Sequence, residues 1–260
     1  MGVTRYTVTS FYTGEAPFVG LANYLSVARD ALLDTAFINT AIFTVGSIVP
    51  QFSIGLALAV FFQRHFPLNR TLRALLLLPW LLPLVVAGTV YRWILDQDYG
   101  VVNQVLLQLH VISEPVPWLT SPGWALASVI IANIWAGIPF NLVVLYSGLE
   151  GIPRTLYEAA AVDGARAWRQ FWHITLPLLR PVSAIALMLG LIYTIKVFDI
   201  IMILTNGGPA DSTQTLATWA YFLSFIDLSF GKGAAVGNIL ILITLVFAAF
   251  YLRSARAAFR

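Results

Sequence analysis

Five stretches of the chain, near 36–63, 72–95, 123–148, 182–205 and 234–253, hold apolar runs of at least about 18 residues, enough for an α-helix to cross roughly 30 Å of hydrocarbon. A bilayer offers no water to the backbone, so each crossing must satisfy its own N–H and C=O groups, and continuous apolar runs do this as helices. Charged residues make up 10% of the chain and hydrophobic ones 59%, against about 25% charged in soluble domains. The predicted class is therefore all-α: a polytopic bundle of five transmembrane helices in one membrane domain, 36–253, preceded by segment 1–35 and followed by tail 254–260. Pro50, Pro79, Pro83, Pro139, Asn39, Gln51, Asn133 and Asn141 fall inside the runs. Such residues are costly against lipid but tolerable where helices pack or line a cavity, which argues for a compact bundle.

The loops orient the bundle. Segment 64–73 carries Arg64, Arg70 and Arg73; 149–181 carries Arg154, Arg166, Arg169 and Arg180; the tail carries Arg253, Arg256 and Arg260. The alternate connections, 96–122 and 206–233, hold Asp96, Asp98, Glu114, Asp211 and Asp227 against Lys232. The excess of Lys and Arg on cytoplasmic loops places the first set and the C-terminus inside and, with five crossings, residues 1–35 outside. That segment has no secretory signal pattern. Either a short polar tail crosses alone, or a further helix precedes this sequence; the second reading is favoured.

Several chemistries are excluded or unsupported. The formal charge of +3 is not arranged as a basic stripe interleaved with aromatics, so nucleic acid is not an expected partner. Without cysteine there is no disulfide or thiolate metal site. His65, His110 and His173 have no metal-ligand spacing, and Gly231-Lys232-Gly233 lacks the remaining residues of a phosphate-binding P-loop. No catalytic site, resident cofactor or metal is expected. Lys196 and Asp199, at i and i+3 in the fourth run, are each costly there unless paired or hydrated. They read either as a mutual pair facing the bundle interior or as groups beside a hydrated path. By side-chain chemistry, Asn133, Trp135, Asn141, Tyr193 and Asp199 are candidates to line a path for a polar solute.

The charged stretch 158–181 reads EAAAVDGARAWRQFWHITLPLLRP. Pro153 suits the start of a helix over Arg154–Val162, with Leu156, Ala159 and Ala160 on one face. Asp163-Gly164 stops it, since glycine takes the left-handed conformation at little cost. A second short helix, Ala165 to about Ile174, puts Trp168, Phe171 and Trp172 on one side and Arg166, Arg169 and Gln170 on the other, and Leu176-Pro177 is expected to break it. The result is a two-helix elbow whose aromatic face suits the headgroup layer or a groove on another protein.

The order Glu158-Ala159-Ala160, Gly164, Ile174-Thr175-Leu176-Pro177 resembles the EAA loop of the membrane subunits of binding-protein-dependent ABC importers. With Asp163-Gly164-Ala165, Trp168 and Phe171 it is most similar to the carbohydrate branch, the maltose-type permeases. Phe18 to Tyr24, Asn39-Thr40, Arg73 through Pro79, Gly100 to Asn103, Trp135 with Pro139-Phe140, and Phe198-Asp199 through Pro209 follow in the family's order. The additional helix that usually precedes the first of these is missing from this sequence.

The resemblance implies a type I ABC importer permease fold in a bacterial or archaeal cell membrane. It assigns Glu158, Ala159, Ala160, Asp163, Gly164, Ala165, Leu176 and Pro177 to coupling with a cytoplasmic ATPase. Glu158 and Asp163 would meet basic groups of that partner or pair internally with Arg154 and Arg166; Asp163 reads equally well as a turn residue. The implied assembly contains a second, related permease, two ATPase subunits that use ATP and Mg, and an extracytoplasmic solute-binding protein that delivers a sugar. Glycerol phosphate, a polyamine or another solute on the same architecture is the nearer alternative. The distant one is an ion-coupled transporter or membrane enzyme relaying protons through Lys196 and Asp199.

Overall fold

The computed structural model describes residues 1–64 and 66–258; the expectations for His65, Arg260 and the Arg256 side chain fall outside what it describes. In chain order the α-helices are α1 (Val8–Thr13), α2 (Ala22–Ala28), α3 (Leu32–Phe62), α4 (Asn69–Leu76), α5 (Leu78–Leu81), α6 (Leu84–Ile94) and α7 (Val101–Gln108). They continue as α8 (Pro122–Glu150), α9 (Arg154–Val162), α10 (Ala167–Gln170), α11 (Leu176–Thr194), α12 (Asp199–Leu204), α13 (Leu216–Tyr221) and α14 (Phe230–Ala258). Wider π-helical turns follow α10 over Phe171–Thr175 and α13 over Phe222–Ile226. The described residues form no strand beyond a single bridge between Thr4 and Phe18.

Four helical stretches are long and apolar enough to cross a membrane: Leu32–Phe62, Pro122–Glu150, Ala167–Thr194 and Phe230–Ala249. A fifth is counted if Asn69–Leu81 and Leu84–Ile94, bent by 98°, make one span. The predicted run 72–95 is thus broken at Leu82-Pro83. Proline drives the residue before it into extended backbone, and Leu82 holds ψ 137°. The predicted run 182–205 is displaced more. Its helix begins upstream of the expected boundary, ends at Thr194 and resumes at Asp199, with no proline or glycine in the gap to announce it.

The chain groups into two compact units. One comprises residues 1–47, 83–133 and 192–247, and the other 48–82, 134–191 and 248–260. In the first unit, Val27, Ala36, Leu216, Trp219 and Val236 form one buried cluster, and Phe43, Val129, Ala132, Ile200 and Ile201 another. Asparagines pin the connections around them. Asn39 Nδ2 donates to the Ser212 and Gln214 carbonyls at 3.1 and 3.0 Å. Asn103, fully buried, donates to the Gln97 and Val116 carbonyls at 3.0 Å each, and accepts from the Val116 N–H and the Trp118 indole at 3.1 and 2.8 Å.

In the second unit, Ala59, Phe62, Leu142, Leu145, Leu149 and Leu179 are buried together. Within lipid, such leucines gain little from leaving water, so shape fit and dispersion contact must hold the cluster. Close approach supplies that fit. A side chain at Gly55 would sit 2.5 Å from Asn141 Cβ, one at Gly148 2.8 Å from Leu179 Cδ1, and one at Gly137 would overlap Gln51.

Candidate functional site

The charged stretch forms an elbow in the second unit. Pro153, at φ −58° and ψ 128°, stands immediately before α9, which covers the predicted Arg154–Val162. Three backbone bonds close the far end: Asp163 N–H to Ala159 O at 3.1 Å, Gly164 N–H to Ala161 O at 3.0 Å and Ala165 N–H to Ala160 O at 2.8 Å. The last two are the paired 5→2 and 6→1 bonds of a Schellman ending, which needs one residue in left-handed conformation. Gly164 supplies it with φ +78°. The sequence rule for an Asp-Gly stop therefore operates here through a full hydrogen-bonded cap.

The second arm differs from expectation. It is not a free helix ending at Leu176-Pro177. α10, the π turn and α11 run on as one span from Ala167 to Thr194, with Leu176 and Pro177 in the first turn of α11. A π turn carries one extra residue per turn, as the bond from Leu176 N–H to Phe171 O shows. It shifts the bonding register just where Pro177 has no N–H to give, so the proline is absorbed without a break. Pro181, just before the predicted run 182–205, likewise lies inside α11.

Side chains lock the two arms. Tyr157 Oη and Thr175 Oγ1 share a hydrogen bond of 3.0 Å, and Thr175 is buried. Gln170 Nε2 donates to the Tyr157 and Ala165 carbonyls at 3.3 and 3.0 Å. The outer surface is left open. Glu158, Ala159, Asp163 and Gly164 are exposed and Ala160 and Ala165 half-buried, while Val162 is 88% and Trp168 72% exposed. Trp168 stacks on Phe171 at 6.2 Å and meets Trp172 edge-on at 5.6 Å, so the predicted aromatic face exists. Among the described residues Glu158 and Asp163 form no ion pair with Arg154 or Arg166, so the internal pairing is not adopted. The elbow thus presents a rigid, small-residue ridge with unspent carboxylates, a surface suited to docking rather than to bond-making chemistry.

The candidate path residues fall in different places. Tyr193 and Asp199 flank the break between α11 and α12 in the first unit, together with Lys196, whose ammonium lies 5.3 Å from the Tyr193 ring centroid. The mutual Lys196–Asp199 pair, one of the two readings of these residues, is not formed. Both side chains are exposed, and the helix that would have stacked them stops between them. Asp199 instead opens α12, where a carboxylate faces unsatisfied backbone N–H groups. Phe198 and Tyr221, 4.8 Å apart, and Phe225, 5.2 Å beyond Tyr221, line up from the same break. The sequence reading did not single out these last two rings, because aromatic residues in an apolar chain carry no local signal. Asn133, on α8, is buried in the first unit. Trp135 and Asn141 lie on α8 in the second unit. Asn141 is buried, its Nδ2 donating to the Gly137 carbonyl at 3.1 Å, and its Cβ meets Gly55: here it serves helix packing.

Comparison with known proteins agrees with this architecture. Residues 51–259 match the family described as binding-protein-dependent transport system inner membrane component. The chain is 37% identical over 262 residues to the sulfoquinovosyl glycerol transport system permease protein SmoG of Agrobacterium fabrum, covering 98% of this chain and 84% of that one. It is 37% identical over 245 residues to the trehalose/maltose transport system permease protein MalF of Thermococcus litoralis, covering 93% and 81%. A bacterial alginate ABC transporter, solved in complex with an alginate pentasaccharide-bound periplasmic protein, superposes with a TM-score of 0.83 at 25% identity, over 92% of this chain and 83% of that one. The resemblance drawn from the motifs is borne out, and the chain belongs to the binding-protein-dependent transport system inner membrane components.

Proposed function

We propose that this chain is the membrane-spanning permease of an ATP-driven sugar importer, and that its elbow is the joint through which a separate ATPase subunit drives it. The observation that carries the reading is the elbow itself: a ridge of exposed Glu158 and Ala159 with half-buried Ala160, fixed by the Schellman ending at Gly164 and continuous through α10 with a membrane-length helix. A push on α9 is passed by the Tyr157–Thr175 and Gln170 bonds into α11 rather than lost in a slack loop. Alanines at the ridge admit close approach of a partner helix, and the exposed Glu158 carboxylate offers that partner a charged acceptor.

In this reading the elbow and the C-terminus face the cytoplasm. ATP and Mg are bound by the two ATPase subunits, and a second, related permease completes the pathway. An extracytoplasmic binding protein delivers the solute. The sugar assignment draws on the relatives' names and on the rings of Tyr193, Phe198 and Tyr221 beside Asp199, since pyranose faces stack on aromatic rings while hydroxyls seek carboxylates. Alternating access follows from closure of the ATPase pair moving the elbows.

The test is Gly164→Pro in the reconstituted transporter. Proline cannot reach φ +78° and removes the N–H bonded to Ala161. Uptake should fall by roughly tenfold or more, equivalent to about 1.4 kcal/mol of lost coupling, while the chain still inserts. Unchanged uptake with normal stimulation of ATP hydrolysis would overturn the role.

A further inference from the structure

Beside the elbow, the second unit contains an open cavity of about 1120 Å³. Its wall carries Arg64 from the α3–α4 connection, Arg70 and Arg73 from the first and last turns of α4, and Arg154 from the first turn of α9. Among the described lining residues Glu150 is the one acid, so four arginines share the cavity with a single carboxylate. None of the four forms an ion pair among the described residues; Arg73 lies instead 4.1 Å from the centroid of Tyr146, itself a lining residue. The connection that bears Arg64 and leads into Arg70 at the start of α4 is tied down, Asn69 Nδ2 donating to the Phe62 and Arg64 carbonyls at 2.9 and 2.6 Å.

Cytoplasmic arginines need no ligand to be explained when they spread over a flat loop surface. Here they converge on a concave space, and like charges sharing one cavity repel unless an anion enters. Guanidinium forks match phosphate oxygens two bonds at a time, which an ammonium cannot do. The volume slightly exceeds the roughly 300–1,000 Å³ of ordinary ligand pockets, room enough for a glycerophosphate headgroup or a diphosphate.

We propose that this cavity binds a phosphate-bearing anion. Tyr157 and Gln170, the residues that lock the two arms of the elbow, also line it, so an occupant touches the joint at its fastening. Occupancy then stiffens the elbow and sets how strongly the ATPase drives α11; that consequence, though not the binding, rests on the function proposed above. The phosphate has two possible sources, an anionic phospholipid of the inner leaflet or a soluble phosphorylated compound.

Site-resolved reaction of arginines with phenylglyoxal, read by mass spectrometry on the full-length chain in phosphatidylcholine nanodiscs, tests the proposal. One arm adds inorganic pyrophosphate; the other replaces about a third of the lipid with phosphatidylglycerol, an anionic lipid of the kind basic clusters attract. At about ten times Kd, Arg64 and Arg70 should react roughly tenfold more slowly, because only about a tenth of the sites stay empty. Arg166 and Arg169, outside the cavity, should change little. An Arg73→Gln, Arg154→Gln double variant should lose the protection of Arg64. Protection by pyrophosphate assigns a soluble ligand and protection by phosphatidylglycerol alone a headgroup; either supports the site. No protection in either arm, or equal protection of Arg166 and Arg169, overturns it. So does protection produced in neutral lipid by the ATPase subunit alone, which would make the arginines partner contacts. No arm measures uptake, so a failed coupling role at Gly164 and a failed anion site give separate results.

Discussion

Asn103 shows how much a single buried amide can hold. Its two donors and its acceptor oxygen are all engaged, and the partners come from residues 97, 116 and 118 of one connection. Asn103→Ala strands the Val116 N–H and the Trp118 indole together, and each buried unsatisfied group costs about 1–3 kcal/mol. Two such groups span about 2–6 kcal/mol, and because Val116 and Trp118 are only half-buried the expected loss lies toward the lower end, measured as a lower unfolding midpoint in nanodiscs, with quicker proteolysis of segment 96–122. In the sequence Asn103 was visible as one letter of a family-like GVVN run, and its work was not, because irregular loops bring their partners together without periodicity. The same limit applied to Asn141. Its polarity marked it as a path candidate, and its bond to Gly137 and close approach to Gly55 were not legible from that polarity.

Elements were most legible where local chemistry decides them. Helix α9 could be delimited from Pro153 and Asp163-Gly164 alone, since both ends are set within a few residues. The second arm could not. Leu176-Pro177 reads as a stop by the usual proline rule, and only the π turn over Phe171–Thr175 reveals how the helix passes through. The hydrogen bond that Tyr157 Oη and Thr175 Oγ1 share ties α9 to the end of that turn. Tyr157→Phe keeps the ring and removes the bond, so stability should fall by about 0.5–1.5 kcal/mol. Amide hydrogen exchange should quicken over 167–175 before it does in α8, and equal exchange in both variants would mean that the hydroxyl does not hold the arms.

For the whole molecule, hydropathy found the long apolar helices, four or five according to how the bent pair is counted, while the break between α11 and α12 escaped because it rests on tertiary packing of Ile195, Ile200 and Ile201, all buried. Orientation can be tested directly, because the chain has no cysteine and any introduced thiol is a unique label. Glu158→Cys should react with a membrane-impermeant maleimide only in inverted vesicles, and Glu114→Cys only in right-side-out cells; the reverse pattern would refute the assigned sidedness. The division into two units also governs the chain's biosynthesis. The unit that contains the elbow receives its long helical segments by residue 191, lacking only part of the last helix, whereas the other unit must wait for residues 192–247 before α12, α13 and α14 can close on partners made at the very start. The order of translation, as well as the final packing, therefore gives the elbow's unit most of its helices before the other unit has the partners that its first residues need.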